Sequence, residues 1–512
     1  MLLRWFIIFT FFSGAVAAQS LPRTDSGKPD LQGIWQAQHT SAAADLQAYL
    51  ASQTAAGSST EVPYLPAALA TKLANFTNRA VADPLNSCFF PGVPRLMFME
   101  YPYQIFQTDE HVAITFEWSQ AYRLIYTNGQ PTKYPGIESW MGNSRGYWEG
   151  DELVVEINDL NDKTWFDATG NFHSNTLRLT ERYHMVDMDT IDYSITIDDP
   201  AVYSKPWTIR MPLQRQKDLV RLMEYQCQAE KEELSGDFER DERTWYPAAI
   251  PVDNAPFDAT ASIAQEELIV ATDVPRLADG KPDIGGYFMA DGRGANYGLE
   301  TSEENRALTP NARGVIVDPA DGILPYQTWA RAEHNDRVLP QRGYDDPTAH
   351  CFVAGVPRSN YVPSPFQILQ TPDNIVVLHE RMAWRQIFLD GRAHLPDDQR
   401  LWQGDSTGKW QGDTLVVETT NLNGKTWLNE AGDVVSHMQT VVETFTPINA
   451  TEIIYRATVS DPIAYTRPWT MQLVMSRQND ELLEVACHED NGDLQHLKDV
   501  RDEYRAAQTQ EN

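Results

Sequence analysis

Three groupings of side chains have the types and the spacing for chemistry. His173 sits beside Ser174, just after Gly170 and eight residues before Glu181, so a general base and a carboxylate able to orient it share one short stretch. His394 and Asp405 form a second acid–base candidate, with Asp405 inside a Gly-Asp-Ser triplet. Glu117 and Glu380 each close a β-prone run, and Arg123 and Arg385 stand on the run that follows. Across a hairpin each Glu would meet its Arg as a bidentate carboxylate–guanidinium pair. Inside a barrel such a pair would be costly to desolvate, which makes it a ligand-facing candidate. Each grouping also has a plainer structural reading that outranks it: a loop histidine bonded to backbone, a tight turn around Asp405, an ion pair at a barrel mouth. Ser174 is a weak nucleophile candidate, because no Gly-x-Ser-x-Gly elbow surrounds it.

Other chemistries have no motif. The chain has 11 His but no His-x-His, His-Glu-x-x-His or Cys/His cluster, so no metal is expected. Asp291-Gly292-Arg293-Gly294 lies in polar sequence without the strand and helix that a phosphate cradle needs, and no cofactor is expected. A formal charge of −31 argues against nucleic acid and anionic membrane surfaces, which are bound through basic patches; cationic and neutral small molecules stay open. With 14 Trp and 21 Tyr there are rings enough for stacking platforms as well as cores. Trp148, Trp165 and Trp207 have matched partners at Trp410, Trp427 and Trp469. Matched tryptophans are more often core than platform; Trp148 and Trp410 are the ligand-stacking candidates. Nothing in the sequence speaks to oligomeric state.

These residues are carried by an internal repeat. Leu21-Pro-Arg-Thr-Asp-Ser-Gly-Lys-Pro-Asp-Leu-Gln-Gly-Ile-Trp35 returns as Val274-Pro-Arg-Leu-Ala-Asp-Gly-Lys-Pro-Asp-Ile-Gly-Gly-Tyr-Phe288. Cys88-Phe-Phe-Pro-Gly-Val-Pro-Arg95 returns 263 residues later at Cys351–Arg358, and Gly146-Tyr-Trp-Glu-Gly-Asp-Glu-Leu-Val-Val-Glu156 returns 262 residues later at Gly408–Glu418. Asp199-Pro200 with Pro206-Trp207 returns as Asp461-Pro462 with Pro468-Trp469. All four cysteines match in pairs, so disulfides Cys88–Cys227 and Cys351–Cys487 are expected, each tying the early part of a copy to its end.

Local patterns specify mainly strands. Ile191, Tyr193, Ile195 and Ile197 alternate with polar residues, and the second copy repeats this at Ile453, Tyr455, Ala457 and Val459. Asn128-Gly129 and Asp390-Gly391 suit type I′ hairpin turns, and Gly150-Asp151 and Gly412-Asp413 separate further strand pairs. Helical pattern is confined mainly to Pro66–Val81. The expected fold is mainly β with minor helix: two tandem antiparallel meander β-barrels of lipocalin or calycin type, a closure that leaves no bare edges. Residues 1–18 read as a cleaved signal peptide, with Arg4, an apolar run and small residues at Ala15-Val16-Ala17, so a secreted or periplasmic location without membrane insertion is expected. Residues 21–237 form the first barrel repeat, 238–273 a linker packed on the surface, 274–497 the second repeat and 498–512 a polar tail.

The motifs resemble those of an uncharacterised family of exported bacterial proteins. Its pattern is a Cys block ending Gly-x-Pro-Arg, then Glu and Arg, Asp-Gly-Arg-x-His, Gly-Asp-Ser-x-Gly-x-Trp-Glu-Gly-Asp-Thr-Leu-Val-Val, His-Ser, Glu-Arg, and Asp-Pro with Pro-Trp. The resemblance covers nearly all of both copies and implies no activity; as a fold analogy alone, the tandem barrels are similar to those of some carotenoid-hydratase-like proteins. The copies depart from the pattern in different places. The second keeps Glu380, Arg385, Asp390-Gly391-Arg392, His394 and Gly404-Asp405-Ser406, where the first has Asn128, Gln130 and Asn143. The first keeps His173-Ser174 and Glu181-Arg182, where the second has Val435-Ser436 and Glu443-Thr444. Either the copies share labour across their interface or at least one site is degenerate. The leading expectation is an exported two-domain protein that binds a small apolar or aromatic molecule, with or without turnover. The alternatives are a cofactor-independent hydrolase, lyase or isomerase using Glu, His and Asp, and a non-catalytic envelope interaction module.

Overall fold

The computed structural model describes residues 21–53, 59–235, 255–258, 272–291, 294–300, 314–381, 383–487, 489 and 491–511. The signal-like residues 1–18 and nearly all of the linker lie outside the described residues. The alternating runs are strands with one face fully inward. Ile191, Tyr193, Ile195 and Ile197 are all buried, as are Ile453, Tyr455, Ala457 and Val459, while their sequence neighbours are half-buried or exposed.

In the first copy β1 (Gly33–Ala37), β2 (Tyr103–Gln107), β3 (His111–Phe116), β4 (Tyr122–Tyr126), β5 (Asn143–Glu149), β6 (Glu152–Asn158), β7 (Arg178–Asp187), β8 (Thr190–Asp198) and β9 (Trp207–Arg215) follow one another around a closed barrel. Closure comes from β1, which pairs with both β2 and β9. The second copy repeats this with β10 (Gly286–Asp291), β12 (Phe366–Gln370), β13 (Asn374–His379), β14 (Ala383–Phe388), β15 (Asp405–Gln411), β16 (Thr414–Thr420), β17 (Thr440–Pro447), β18 (Glu452–Ser460) and β19 (Trp469–Gln478), closed by β10 on β19. A short β11 (Ile316–Asp318) adds to β19. Both expected disulfides are present, Cys88–Cys227 and Cys351–Cys487, each with Cα atoms 5.6 Å apart. Among the described residues no helix is long and apolar enough to cross a membrane.

Two expectations are corrected. Asn128-Gly129 and Asp390-Gly391 are not hairpin turns, because β4 and β5 pair in parallel, as do β14 and β15. The connections 127–142 and 389–404 are long enough to carry the chain back across the barrel, as a parallel pair requires. The dipeptides instead make local turns in which the Asn128 and Asp390 side chains accept the backbone N–H two residues on. Gly150-Asp151 does join an antiparallel pair, with Glu149 opposite Glu152. Of the residues read as a polar tail, 498–511 belong to a helix, Gly492–Glu511.

The barrels dock through a reciprocal exchange. The Tyr122 hydroxyl donates to the His379 carbonyl at 2.9 Å, and at the matched position the Trp384 indole donates to the Phe116 carbonyl at 3.0 Å. After its last strand each copy sends a strap towards its disulfide, 216–226 in the first and 479–486 in the second. Each strap is bonded to its own barrel, by Tyr225 N–H to the Glu117 carbonyl and Val485 N–H to the Glu380 carbonyl. Each also reaches into the other copy. Glu224 accepts the N–H groups of Trp402 and Gln403, and Glu484 those of Trp140 and Met141.

Candidate functional site

The arginines seen in the sequence point inward, but to a different partner. Arg123 donates from Nη1 and Nη2 to both carboxylate oxygens of Glu181 at 2.9 and 2.6 Å, and from Nε to Ser144 Oγ at 2.9 Å; the Tyr193 hydroxyl adds a bond to Glu181 at 2.6 Å. Arg385 makes the same fork with Glu443, aided by Ser406, Thr419 and Tyr455. All four charged residues are at most 2% exposed. Burial pulls the Arg123 guanidinium down, and the Glu181 carboxylate outweighs it, so Arg123 holds its proton more firmly than a free arginine. The expected Glu117–Arg123 and Glu380–Arg385 pairs do not form. Glu117 and Glu380 stand outside the barrels and accept strap N–H groups from Met223 and Leu483; burial raises the pKa of both. Hairpin proximity suggested the wrong carboxylate because β7 and β17, distant in sequence, cross the same interior level.

The histidine candidates are occupied structurally. His173 is buried, stacks on Phe166 with centroids 5.1 Å apart, and bonds Thr164 Oγ1 and the Ser174 carbonyl. Its pKa is lowered by burial. Ser174 is held by Asp199 through N–H and hydroxyl, as Ser436 is by Asp461. His173 and Glu181 therefore do not meet as base and orienter. His394 does meet Asp405, at 3.2 Å, but Asp405 also accepts Leu395 N–H and pairs with Arg221 of the first strap. Trp148 and Trp410 lie partly buried against their own cores and line none of the cavities described below. Among the described residues no cluster of His, Cys, Asp or Glu could hold a metal ion.

A cavity opens elsewhere, at the parallel seam. β4 and β5 share only the register pairs Ile125–Ser144 and Tyr126–Arg145, and the connection 127–142 arches over the gap. Beneath the arch lies a cavity of about 310 Å³. Its walls are Tyr122, Tyr126, Tyr134, Ile137 and Met141 of the first copy and Leu482, Leu483 and Val485 of the second strap. Arg123 and Ser144 reach it from the barrel side, so the buried ion pair backs the cavity. Its polar lining includes Glu138, Arg145, Glu380, Glu481 and Glu484. The strap is fastened along this wall: Leu482 N–H donates to the Tyr126 hydroxyl, Glu481 takes Arg145 at 2.5 Å, and Tyr134 donates to Asp480 at 2.6 Å. Burial pushes the Glu484 carboxyl up to about 7, against its two backbone N–H bonds.

The second copy has the same site in the same place. Arg221, Leu222 and Glu224 of the first strap stand where Glu481, Leu482 and Glu484 stand, and Trp384, Phe388 and Asp405 match Tyr122, Tyr126 and Asn143. Here only about 30 Å³ remains. The Arg392 and Arg221 guanidinium carbons lie 3.8 and 4.9 Å from the Phe388 ring centroid, and Arg392 also bonds the Val220 carbonyl. A wider polar cleft of about 560 Å³ lies between the 108–111 turn and β10. The seam went unread in the sequence, although a signal was present: Leu222-Met-Glu-Tyr-Gln-Cys227 and Leu482-Leu-Glu-Val-Ala-Cys487 share Leu-x-Glu-x-x-Cys. What the seam can do is enclose a small molecule against tyrosine rings and desolvated carboxyls. Ser144, which reaches it, is bonded to Arg123, and among the described residues no histidine lines it. No family model, no curated protein and no solved structure matches the chain.

Proposed function

We propose that this is an exported small-molecule-binding protein whose ligand lies in the seam cavity of the first barrel, beneath the strap of the second. The observation that carries the reading is the contrast between matched sites: one retains about 310 Å³ walled by tyrosine and aliphatic side chains, the other is filled by the chain's own side chains. Ligand sites are mostly apolar, with a few polar groups that fix orientation, and Arg145, Glu380 and Glu484 are such groups. Export is supported by the signal-like start and by two disulfides, which suit an oxidising compartment. The acid–base enzyme reading draws less support, because His173, Glu181 and Asp405 are bonded to structural partners.

The test is native mass spectrometry of the protein purified from its own compartment, with a thermal-shift screen of small molecules. The expected result is a bound mass or a stabilising ligand, lost in Ile137→Trp, which places a larger ring at the exposed rim without touching the core. A protein that arrives empty and that no compound stabilises would overturn the reading.

A further inference from the structure

The second seam site displays the chemistry of its own filling. Into it the first strap inserts the Arg221 guanidinium, which pairs with Asp405 beside the Phe388 ring, and Arg392 packs on the same ring. The protein thus seals one seam with cations laid against an aromatic wall. In the first copy the wall is kept, as Tyr126 with Tyr122 beside it, but neither of these two arginines has a counterpart. Arg221 is replaced by Glu481 and Arg392 by Gln130. Among the described residues Tyr126 carries one guanidinium, Arg145 at 4.2 Å, where Phe388 carries two.

The charges point the same way. Arg145 is matched by Glu481 and Arg123 by Glu181. Setting these pairs aside leaves Glu380, which feels Arg381 without pairing with it, and the buried Glu484 on the lining, with Glu138 exposed at the rim, none of them in an ion pair among the described residues. A carboxylate taken out of water is costly unless it is paired, and burial raises the pKa of both Glu380 and Glu484. A cation entering the cavity would supply the missing partner and lie against tyrosine faces, an attraction that strengthens when desolvated.

Resting on the small-molecule reading above, we infer that the first seam site takes an organic cation, an amine or amidine on an aromatic or apolar body, in the place that Arg221 fills in the second copy. The experiment is calorimetric titration of the full chain with two cation and neutral pairs: benzamidine against benzamide, and phenethylamine against 2-phenylethanol. One equivalent of cation should bind, at least about tenfold more tightly than its neutral partner, a ratio within the reach of a desolvated cation–π contact. Glu481→Arg with Asn143→Asp should rebuild the Arg221–Asp405 pair of the second copy in the first seam and abolish binding, in a variant whose cooperative melt shows that it is folded. Arg221→Ala should open the place beside Asp405, with Arg392 still on the Phe388 ring, and raise the stoichiometry from one to two, with Asp405 as the new partner. Neutral compounds that bind as tightly as their cationic partners, or a cavity that accepts other library compounds but neither cation, would overturn the inference and leave the binding reading standing. If no compound of any charge binds, both fall.

Discussion

The interior ion pairs and the seams behind them have followed opposite courses. Arg123–Glu181–Tyr193 and Arg385–Glu443–Tyr455 match group for group, down to the serine on the guanidinium Nε. At the adjoining seam, arginine has become glutamate and aspartate has become asparagine. The interior network is thus kept in both barrels, and the seam is where the two copies differ. The sharpest way to break this comparison is Glu181→Gln set beside Glu443→Gln. Each leaves a buried guanidinium without its counter-charge, and each should cost about 3–5 kcal/mol in urea unfolding. Replacing both partners with apolar residues, Arg123→Met with Glu181→Leu, should recover much of that loss. A first-copy variant that spares stability and abolishes ligand binding would instead place this pair in the site.

The straps give the next largest effect. Burial pushes Glu224 as well as Glu484 up to about 7, from an ordinary carboxyl value of 4.5. Between those values the folded chain holds more protons than the unfolded one, so stability falls as pH rises through the window and is lowest above it. Roughly 3 kcal/mol per group is the ceiling, from about 1.4 kcal/mol per pH unit. Melting temperatures at pH 5 and pH 7.5 should therefore differ more in the native chain than in Glu224→Gln with Glu484→Gln. Equal slopes would mean that the backbone N–H bonds keep both carboxylates ionised and that the straps do not sense pH.

Much of the fold was legible because period-two burial is a local signal: the runs from Ile191 to Ile197 and from Ile453 to Val459 declare their inward faces residue by residue. The cysteine pairs were legible from the repeat alone. The parallel seam was not. Asn128-Gly129 carries the local signature of a turn, and the turn is there, but whether the chain then returns antiparallel or crosses over depends on what the connection packs against. The seam cavity was hidden for the same reason. Tyr126 and Glu484 are 358 residues apart in the sequence and line one cavity only because the second strap docks on the first barrel. Motif reading favoured histidines and acids that stand close in sequence; in the structure His173 bonds Thr164 and the Ser174 carbonyl, Asp405 pairs with Arg221, and neither lines the first seam cavity.

The smallest expected effects separate anchoring from a shared catalytic site. His173 is buried and stacked, so His173→Ala removes a ring and a hydrogen bond together and should cost about 1–3 kcal/mol. His394 is partly exposed, its side chain 24% accessible, and the Asp405 it touches keeps Arg221 when the imidazole is removed, so His394→Ala should change stability by less than about 1 kcal/mol. Neither histidine lines the first seam cavity, and the folded fraction of each variant should bind ligand with the native affinity. Division of labour between the copies makes the opposite demand, that either substitution alone abolish function. Measuring binding and unfolding on the same two variants decides between them: a loss of stability confined to His173→Ala fits anchoring, and a loss of function shared by both returns the histidines to the site.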